Sequence, residues 1–397
     1  MADLSLNSVL GIAVETTSGA YVAPALSDLI AVADLRPTID GITADVREYT
    51  GSIHRPGPVV FGKTFSVTGR VYLRGPGGAA PPAANTWVAG RILRAAGFAE
   101  LITATAVPAA PAALGTGSTA NTAVLGAAAS TTDDIYNGLL MALSGLGANR
   151  AGLSAVRDYV GATKAARLAE KAGAAITGNY QLVPQLSYVL SPDAPPTLSV
   201  SCWIGGRRYN GFGCAISSFR INLPAAGRES QELPSIEFTL SGDLHSAVDA
   251  VPPAPPTGLA IPPFRDGKLW VSDTQVGGSS ISIDLGAQVG YPPNPNKQSG
   301  NDAAQLTETT RTVDLTLNQV AIATFDDLTM SDSQAYYPLF ALWGLGSGNA
   351  FGLTVTDMRF APRSPDNSGA FVSTTGQAFI DGAARTIALS IPFIPTF

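Results

Sequence analysis

Twice along this chain, a run of alternating apolar and polar residues leads into a short apolar segment and then into further alternating runs. In the first copy, residues 62–73 place Phe65, Val67, Val71 and Leu73 on one face, with Gly69 between them. Thr64, Ser66, Thr68, Arg70 and Tyr72 fall on the other face. Period two with one apolar face predicts a half-buried strand. Residues 86–98 then read as a short amphipathic helix. Asn85 or Thr86 can cap it, and Trp87, Gly90, Arg91 and Arg94 lie along one row. Val88, Ile92 and Leu93 make a stripe for a sheet to cover, and Gly97 ends it. The second copy repeats the plan, with a strand at 309–317 and a predicted helix at 336–344. The copies close on strands at 235–242, where Ile236, Phe238 and Leu240 alternate with Ser235, Glu237 and Thr239, and at 385–392. A duplicated β-rich plan with few reactive side chains points to an assembling protein rather than an enzyme.

The 397 residues suffice for about two or three domains. The 42 glycines and 29 prolines stay below the roughly 25–30% that marks disorder, so they read as punctuation between many short strands. Only 14% of the residues are charged, unusually few for a soluble monomer. Either other subunits cover much of the surface, or the surface is a soluble Thr/Ser/Asn one; the first reading is preferred. A net charge of −6 argues against binding nucleic acid through phosphate neutralisation. It does not exclude a surface past which DNA moves without sticking. Residues 1–4 have no basic n-region and no long apolar core follows, so no signal peptide is expected. The longest apolar stretch, 101–114, is broken by Pro108 and Pro111 and is too short to span a bilayer.

Further strands are expected at 35–39, 46–49, 186–190, 197–204, 215–223, 267–271, 279–285, 351–355 and 377–380, with residues 14–22 an extended arm or a turn between strands. Between 101 and about 185 the composition shifts to Ala, Gly, Ser and Thr, which marks an insertion. Within it, propensity alone makes 164–175 helical. The prolines at 252, 253, 255 and 256 predict a stiff connector. A polar loop is expected at 291–302, and the terminus 393–397 is expected to pack.

Chemistry-bearing residues are sparse. His54 and His245 lack neighbours at metal-ligand spacing, although Asp243 is two residues from His245. A zinc site would need both histidines and both cysteines together. Cys202 and Cys214 flank a hairpin expected at Gly205-Gly206; a disulfide and two part-buried thiols are both open, the thiols preferred. Asp133-Asp134, Asp326-Asp327 and Asp243 with Glu237 are the acidic pairs that a glycosidase could use. Turn and cap roles account for them better. Arg207-Arg208 is a weak basic spot at the hairpin tip. No phosphate-cradling, dinucleotide or nucleophile-elbow motif is present in the sequence. Trp87, Trp203, Trp270 and Trp343 read as scattered core anchors, with Trp87 and Trp343 at equivalent helices.

Residues 62–73, 87–100, 196–200, 215–223 and 233–242, with 279–286 in the C-terminal half, resemble the major tail tube proteins of long-tailed (siphovirus-type) bacteriophages. The resemblance covers roughly 10–100 and 186–397. Residues 133–140 and 158–164 resemble a small β module of phage structural proteins, which makes 164–176 a strand and turn against its helix propensity. The resemblance implies a mainly β fold: two tandem β-sandwich or rolled-sheet units, each with a short flanking helix, plus a small β-rich insertion. The boundaries are 1–102 with 185–250 for the first unit, 103–184 for the inserted surface decoration, 251–264 for the linker and 265–397 for the second unit. It implies a virion protein without catalytic, cofactor-binding or metal residues, assembled in the host cytoplasm into stacked rings around a channel for genome DNA. Where single-unit members form six-membered rings, two fused units predict three chains with pseudo-six-fold symmetry. Tape measure, terminator and distal tail proteins are the implied further partners. A different β-rich virion protein (fibre, spike or capsid decoration) and a carbohydrate-binding β-protein are the alternatives.

Overall fold

The computed structural model describes residues 8–46, 57–147, 149–227, 230–254, 258–297, 299–344, 346–367, 372–381 and 385–394. The protein is mainly β. The first strands are β1 (Ser8–Val14), β2 (Leu29–Ile30), β3 (Ala33–Ala44) and β4 (Val59–Tyr72), followed by helix α1 (Val88–Ala95) and β5 (Phe98–Thr103). Next come β6 (Val107–Ala113), β7 (Thr122–Val124), β8 (Leu140–Leu143), β9 (Leu153–Val160), β10 (Ala165–Leu168) and β11 (Asn179–Leu182). Then follow β12 (Gln185–Leu190), β13 (Leu198–Ile204), β14 (Arg207–Pro224) and β15 (Ser235–Asp249). The C-terminal half holds β16 (Lys268–Val271), β17 (Thr274–Gln275), β18 (Gly278–Asp284), β19 (Ala287–Gly290), β20 (Gln305–Thr309) and β21 (Thr312–Asn318). It ends with α2 (Asp327–Ser333), β22 (Tyr337–Gly344), β23 (Ala350–Phe360), β24 (Ser364–Asp366), β25 (Ser373–Ile380) and β26 (Ile387–Pro392).

Eight of these strands form one antiparallel ribbon in the order β3-β4-β15-β14-β18-β21-β25-β24. Numbered by chain order within each half, the first four run 1-2-4-3, and the next four run 1-2-4-3 again. The alternation read from the sequence sets the two faces. Phe65, Val67, Phe219, Ile221, Ile236, Phe238, Ile281, Ile283, Val313 and Leu315 all turn inward into one apolar core. The alternate positions carry Ser, Thr, Asn and paired charges, as a sheet buried on one side requires.

A second layer, β5-β12-β26-β23-β22-β16, closes that core from the other side. It draws strands from both halves of the chain, because β12 pairs with β26. The strands β2-β1-β13 extend from the first half of β14. Helix α1 packs on β12 so closely that a Cβ on Gly90 would meet the Tyr188 hydroxyl at 1.9 Å. Gly90 therefore lies where the helix touches the sheet, and no side chain fits there.

The expected helix at 336–344 is not a helix. Those residues form β22, and the helix of the second half is α2, whose N-cap Asp326 accepts from the Thr329 amide at 3.0 Å. Leu339, Ala341 and Trp343 face the main core, whereas Phe340 and Leu342 face a second apolar cluster on the opposite side. A strand buried on both faces reads as a continuous apolar run, which periodicity cannot tell from a short buried helix. Trp343 is accordingly a strand residue and not the helical counterpart of Trp87. The two are linked through Phe351, whose ring centroid lies 6.5 Å from Trp87 and 5.3 Å from Trp343. Strand β4 begins earlier than expected, at Val59. The weak strand at 46–49 falls largely outside the described residues, as do 255–257 of the connector and 395–397 of the terminus; Phe393 is buried.

Residues 107–182 form a separate six-stranded sheet, β6-β11-β8-β9-β10-β7, around its own apolar cluster. Here 165–168 are a strand, not a helix. Ala166 and Leu168 are buried and Arg167 points out, so pairing with β7 and β9 overrides propensity. This sheet sits on the face of β22 that points away from the ribbon: Leu140, Leu153, Ala155 and Ala169 pack with Phe340 and Leu342. Polar ties surround the contact. Arg157 donates to the Thr356 and Tyr336 carbonyls at 3.1 and 3.0 Å. The Lys268 ammonium lies 2.9 Å from the buried Glu170 carboxylate and from the Leu153 carbonyl. Burial pushes the Glu170 carboxyl above the usual carboxylate range, and Lys268 opposes that rise.

Removing one partner of a buried pair leaves a charge without compensation. Lys268→Met is expected to cost about 3–5 kcal/mol at neutral pH, measured by denaturant unfolding. The folded-state pKa of Glu170 is raised, so the penalty is fully developed above it and vanishes below the unfolded value. The deficit of the variant should therefore shrink as the pH falls through that window. A deficit that does not change with pH would show that the Glu170 charge is not its cause.

Candidate assembly surface

The outward face of the eight-stranded ribbon collects hydroxyls, amides and a few charges. Arg70 on β4 lies between Glu237 on β15 at 3.2 Å and Asp34 on β3 at 3.8 Å. Arg220 on β14 reaches Asp284 on neighbouring β18 at 3.2 Å and Asp314 on β21, one strand further, at 3.8 Å. Each guanidinium thus faces two carboxylates. Thr68 and Thr239 share a 3.0 Å hydrogen bond, and the Ser282 hydroxyl donates to Asn222 at 2.8 Å. The face is concave: a depression of about 740 Å³ runs along it, with Arg70, Tyr72, Arg220, Asn222, Glu237 and Asp314 in its lining. Exposed ion pairs of this kind contribute only about 0–1 kcal/mol each. Their larger consequence is electrostatic, because among the described residues no lone cationic stripe crosses the middle of the face.

The second feature is the pair of edges. Among the described residues, β3 is laddered only to β4, and β24 only to β25. Each edge carries a proline, Pro37 and Pro365, and an unpaired sheet edge is a template for another chain. Inside the ribbon, the equivalent edges of the two halves are joined. Strands β14 and β18 pair over five rungs, from Arg220 opposite Asp284 to Pro224 opposite Ser280.

The residues singled out for chemistry do not converge. The His245 ring stacks on Tyr21 at 4.1 Å and meets Phe212 edge-on at 5.8 Å, beside a depression of about 880 Å³. Asp243 lines the same depression, and its partial burial raises the carboxyl pKa. Glu237 is engaged instead with Arg70. Asp133 accepts from the Gly161 amide at 2.7 Å, and Asp134 accepts from the Asn137 side chain at 2.9 Å. Asp326 caps α2, while Asp327 approaches Arg363 at 3.5 Å. Arg207 pairs with Asp249 at 3.8 Å in solvent, and Arg208 lies over the Trp203 ring. His54 lies outside the described residues. Among the described residues no group of three or more His, Cys, Asp or Glu side chains could hold a metal ion.

Three buried charged residues escaped the sequence reading: Glu15, Arg363 and Glu170, the partner of Lys268. The Glu15 carboxylate accepts from the Gly19 and Gly213 amides, both at 2.7 Å, and from the Thr197 and Ser199 hydroxyls at 2.6 and 2.8 Å. It fastens the turn after β1 to β13 and β14. Its sequence signal was Glu15 at the end of an apolar run, just before Thr16-Thr17-Ser18-Gly19. Arg363 is buried beneath β24, where it donates to the Leu315 and Thr374 carbonyls at 3.0 and 2.6 Å. No local pattern in the sequence marks it.

Cys202 and Cys214 are both buried and both free. Burial alone pushes the Cys202 thiol up to about 12, and burial with the nearby Glu15 and Asp243 carboxylates pushes Cys214 higher still. Thiolates are the reactive form. Ellman's reagent should find no fast-reacting thiol in the folded protein and two after denaturation, with gel mobility unchanged by reductant. A single thiol count of zero under denaturing, non-reducing conditions would instead establish a disulfide. Compared with known proteins, the chain matches no family model, and no curated protein sequence matches it.

Proposed function

We propose that this chain is a tail tube subunit of a long-tailed bacteriophage, polymerising as stacked rings around a channel through which genome DNA passes. The observation that carries the reading is the eight-stranded ribbon in which one four-strand order occurs twice. With an even number of antiparallel strands, the two free edges run in opposite directions. The β24 edge of one copy can then add antiparallel to the β3 edge of the next by rotation alone. Such a contact is heterologous, and a heterologous contact closes into a ring when the rotation permits. Closure abolishes the open edges, which would otherwise promote aggregation.

Two four-strand sets per chain make three chains the equivalent of a six-membered ring, with 24 strands around the channel. At about 4.8 Å per strand, the backbone circle is at least about 37 Å across before strand tilt widens it. That accommodates a DNA duplex once side chains are added. The polar concave face would line the channel. Its central arginines already face carboxylates, so phosphates would find few free cations to hold them. The sheet of residues 107–182 lies beyond the second layer, on the far side from the concave face, where a decoration can project without blocking passage. Tape measure, terminator and distal tail proteins would meet this subunit in or at the ends of the stack, in a virion assembled in the host cytoplasm.

Negative-stain microscopy of the purified protein with native mass measurement tests the reading. Rings or tubes with a central channel, and three chains per ring, are expected. Discrete monomers at high concentration with glycan-cleaving activity would overturn the function. A ring of six whole chains would overturn the count.

A further inference from the structure

We infer that the contact between neighbouring copies repeats the β14–β18 junction already present within each chain, in one specific register. Strand β24 of one copy runs antiparallel to β3 of the next, with Ser364 opposite Thr38, Pro365 opposite Pro37 and Asp366 opposite Arg36. This inference rests on the ring reading and names the residues that close the ring.

The register follows from the ladders. In the first half the last rung between β4 and β15 is Tyr72 opposite Ser235, after which the Leu73 amide donates to the Pro234 carbonyl at 2.9 Å. In the second half the last rung between β21 and β25 is Asn318 opposite Ser373, after which the Gln319 amide donates to the Val372 carbonyl at 3.1 Å. Aligning these two ends makes Tyr72 equivalent to Asn318. One strand further out, Asn222 opposite Ser235 becomes equivalent to Asp366 opposite Ser373. On the other side, Arg36 opposite Thr68 becomes equivalent to Ser282 opposite Asp314. The internal junction sets Asn222 opposite Ser282 and Arg220 opposite Asp284. Carried to the free edges, those rungs become Asp366 opposite Arg36 and Ser364 opposite Thr38.

A competing register aligns the irregularity in β3, between Ala33 and Arg36, with that in β18, between Gly278 and Ser280. It moves each edge strand by two residues in opposite senses, four in all, and sets Asp366 opposite Asp40 and Ser364 opposite Ile42. Opposite charges facing each other across strands stabilise a pair, and like charges destabilise it. Charge therefore selects the first register. The prolines agree with it. Pro37 and Pro365 fall on the same rung, so the donors that proline lacks are missing at one point of the ladder rather than two. At the internal junction the polar face is also tied by charge, with Arg220 and Asp284 at 3.2 Å on opposite strands.

Paired cysteines test the register, because the native Cys202 and Cys214 are buried and stay out of the reaction. Cβ atoms on directly opposed residues lie within about 4.5–5.5 Å, close enough to be drawn into a disulfide. The double variant Thr38→Cys/Ser364→Cys should give covalent multimers on oxidation, ending at the closed ring, on a non-reducing gel. The double variant Ile42→Cys/Ser364→Cys, which reports the shifted register, should stay unlinked. Arg36→Asp and Asp366→Arg should each reduce ring formation, and the double exchange Arg36→Asp/Asp366→Arg should restore it. Rings seen by microscopy without the Thr38/Ser364 link, with the Ile42/Ser364 link instead, or without rescue by the exchange would overturn this seam and leave the ring reading standing. Absence of rings in the unaltered protein would overturn the ring reading and the seam with it.

Discussion

Five rungs between β14 and β18 hold the two halves of the eight-stranded ribbon in a single ladder, and the layering of the molecule depends on them. Because that junction is antiparallel and in register, Ile221 and Leu223 meet Ile283 and Ile281 on the same side. The apolar faces of both halves therefore become one face, which one second layer can cover. The second layer obeys the same constraint from the other direction: β12 from the first half pairs with β26 from the second, so neither half closes its core alone. A chain built in this way has already made one edge-to-edge contact inside itself. What remains exposed is one edge of each kind.

The strands of the ribbon were legible because each is buried on one face only. Phe65 and Val67, Ile236 and Phe238, and Ile281 and Ile283 announce a two-residue period that a one-sided sheet imposes. Legibility failed where burial was two-sided. The run Leu339-Phe340-Ala341-Leu342-Trp343 carries no period, because the main core takes its odd positions and the inserted sheet takes its even ones. Composition marked the insertion but not where it docks, so the two-sided burial of the strand it covers was not legible either. Residues 165–168 differ: Ala and Arg favour a helix, and the strand expected there from the resemblance is made by a tight hairpin with β9 and pairing with β7. Helix α2 was hidden for a different reason: its sequence, Asp-Leu-Thr-Met-Ser-Asp-Ser, has only one cap to signal it.

The polar face was legible as composition but not as arrangement. Arg70 and Glu237 are far apart in sequence, as are Arg220 and Asp314, and only the ladder register brings each pair together. Register also explains how a chain with few charges can place them so selectively. Arg70 has an acid on each neighbouring strand and Arg220 has two on the strands beyond it, so the guanidinium field is cancelled across the sheet rather than along the chain. Surface ion pairs of this geometry add little stability. Their placement makes sense as control of what the concave face attracts. A face meant to hold a polyanion would leave such arginines free.

The inserted sheet is more firmly held than a tethered decoration needs to be. Its apolar contact with Phe340 and Leu342 is framed by Lys268 with Glu170, by Arg157 on the Thr356 and Tyr336 carbonyls, and by Ser390 donating to the Gly138 carbonyl at 3.2 Å. The sheet enters and leaves the chain through β5 and β12, which belong to the first half by sequence, yet its contacts fall on β16, β22, β23 and β26 of the second. It therefore spans the same boundary that β14 and β18 cross on the ribbon side. With the β12–β26 ladder between them, these ties on opposite sides of the core resist hinging between the halves, whereas one alone would act as a pivot. In the proposed ring this stiffness would hold the two edges at a fixed angle, since a small rotation at the internal junction would be carried to both edges at once.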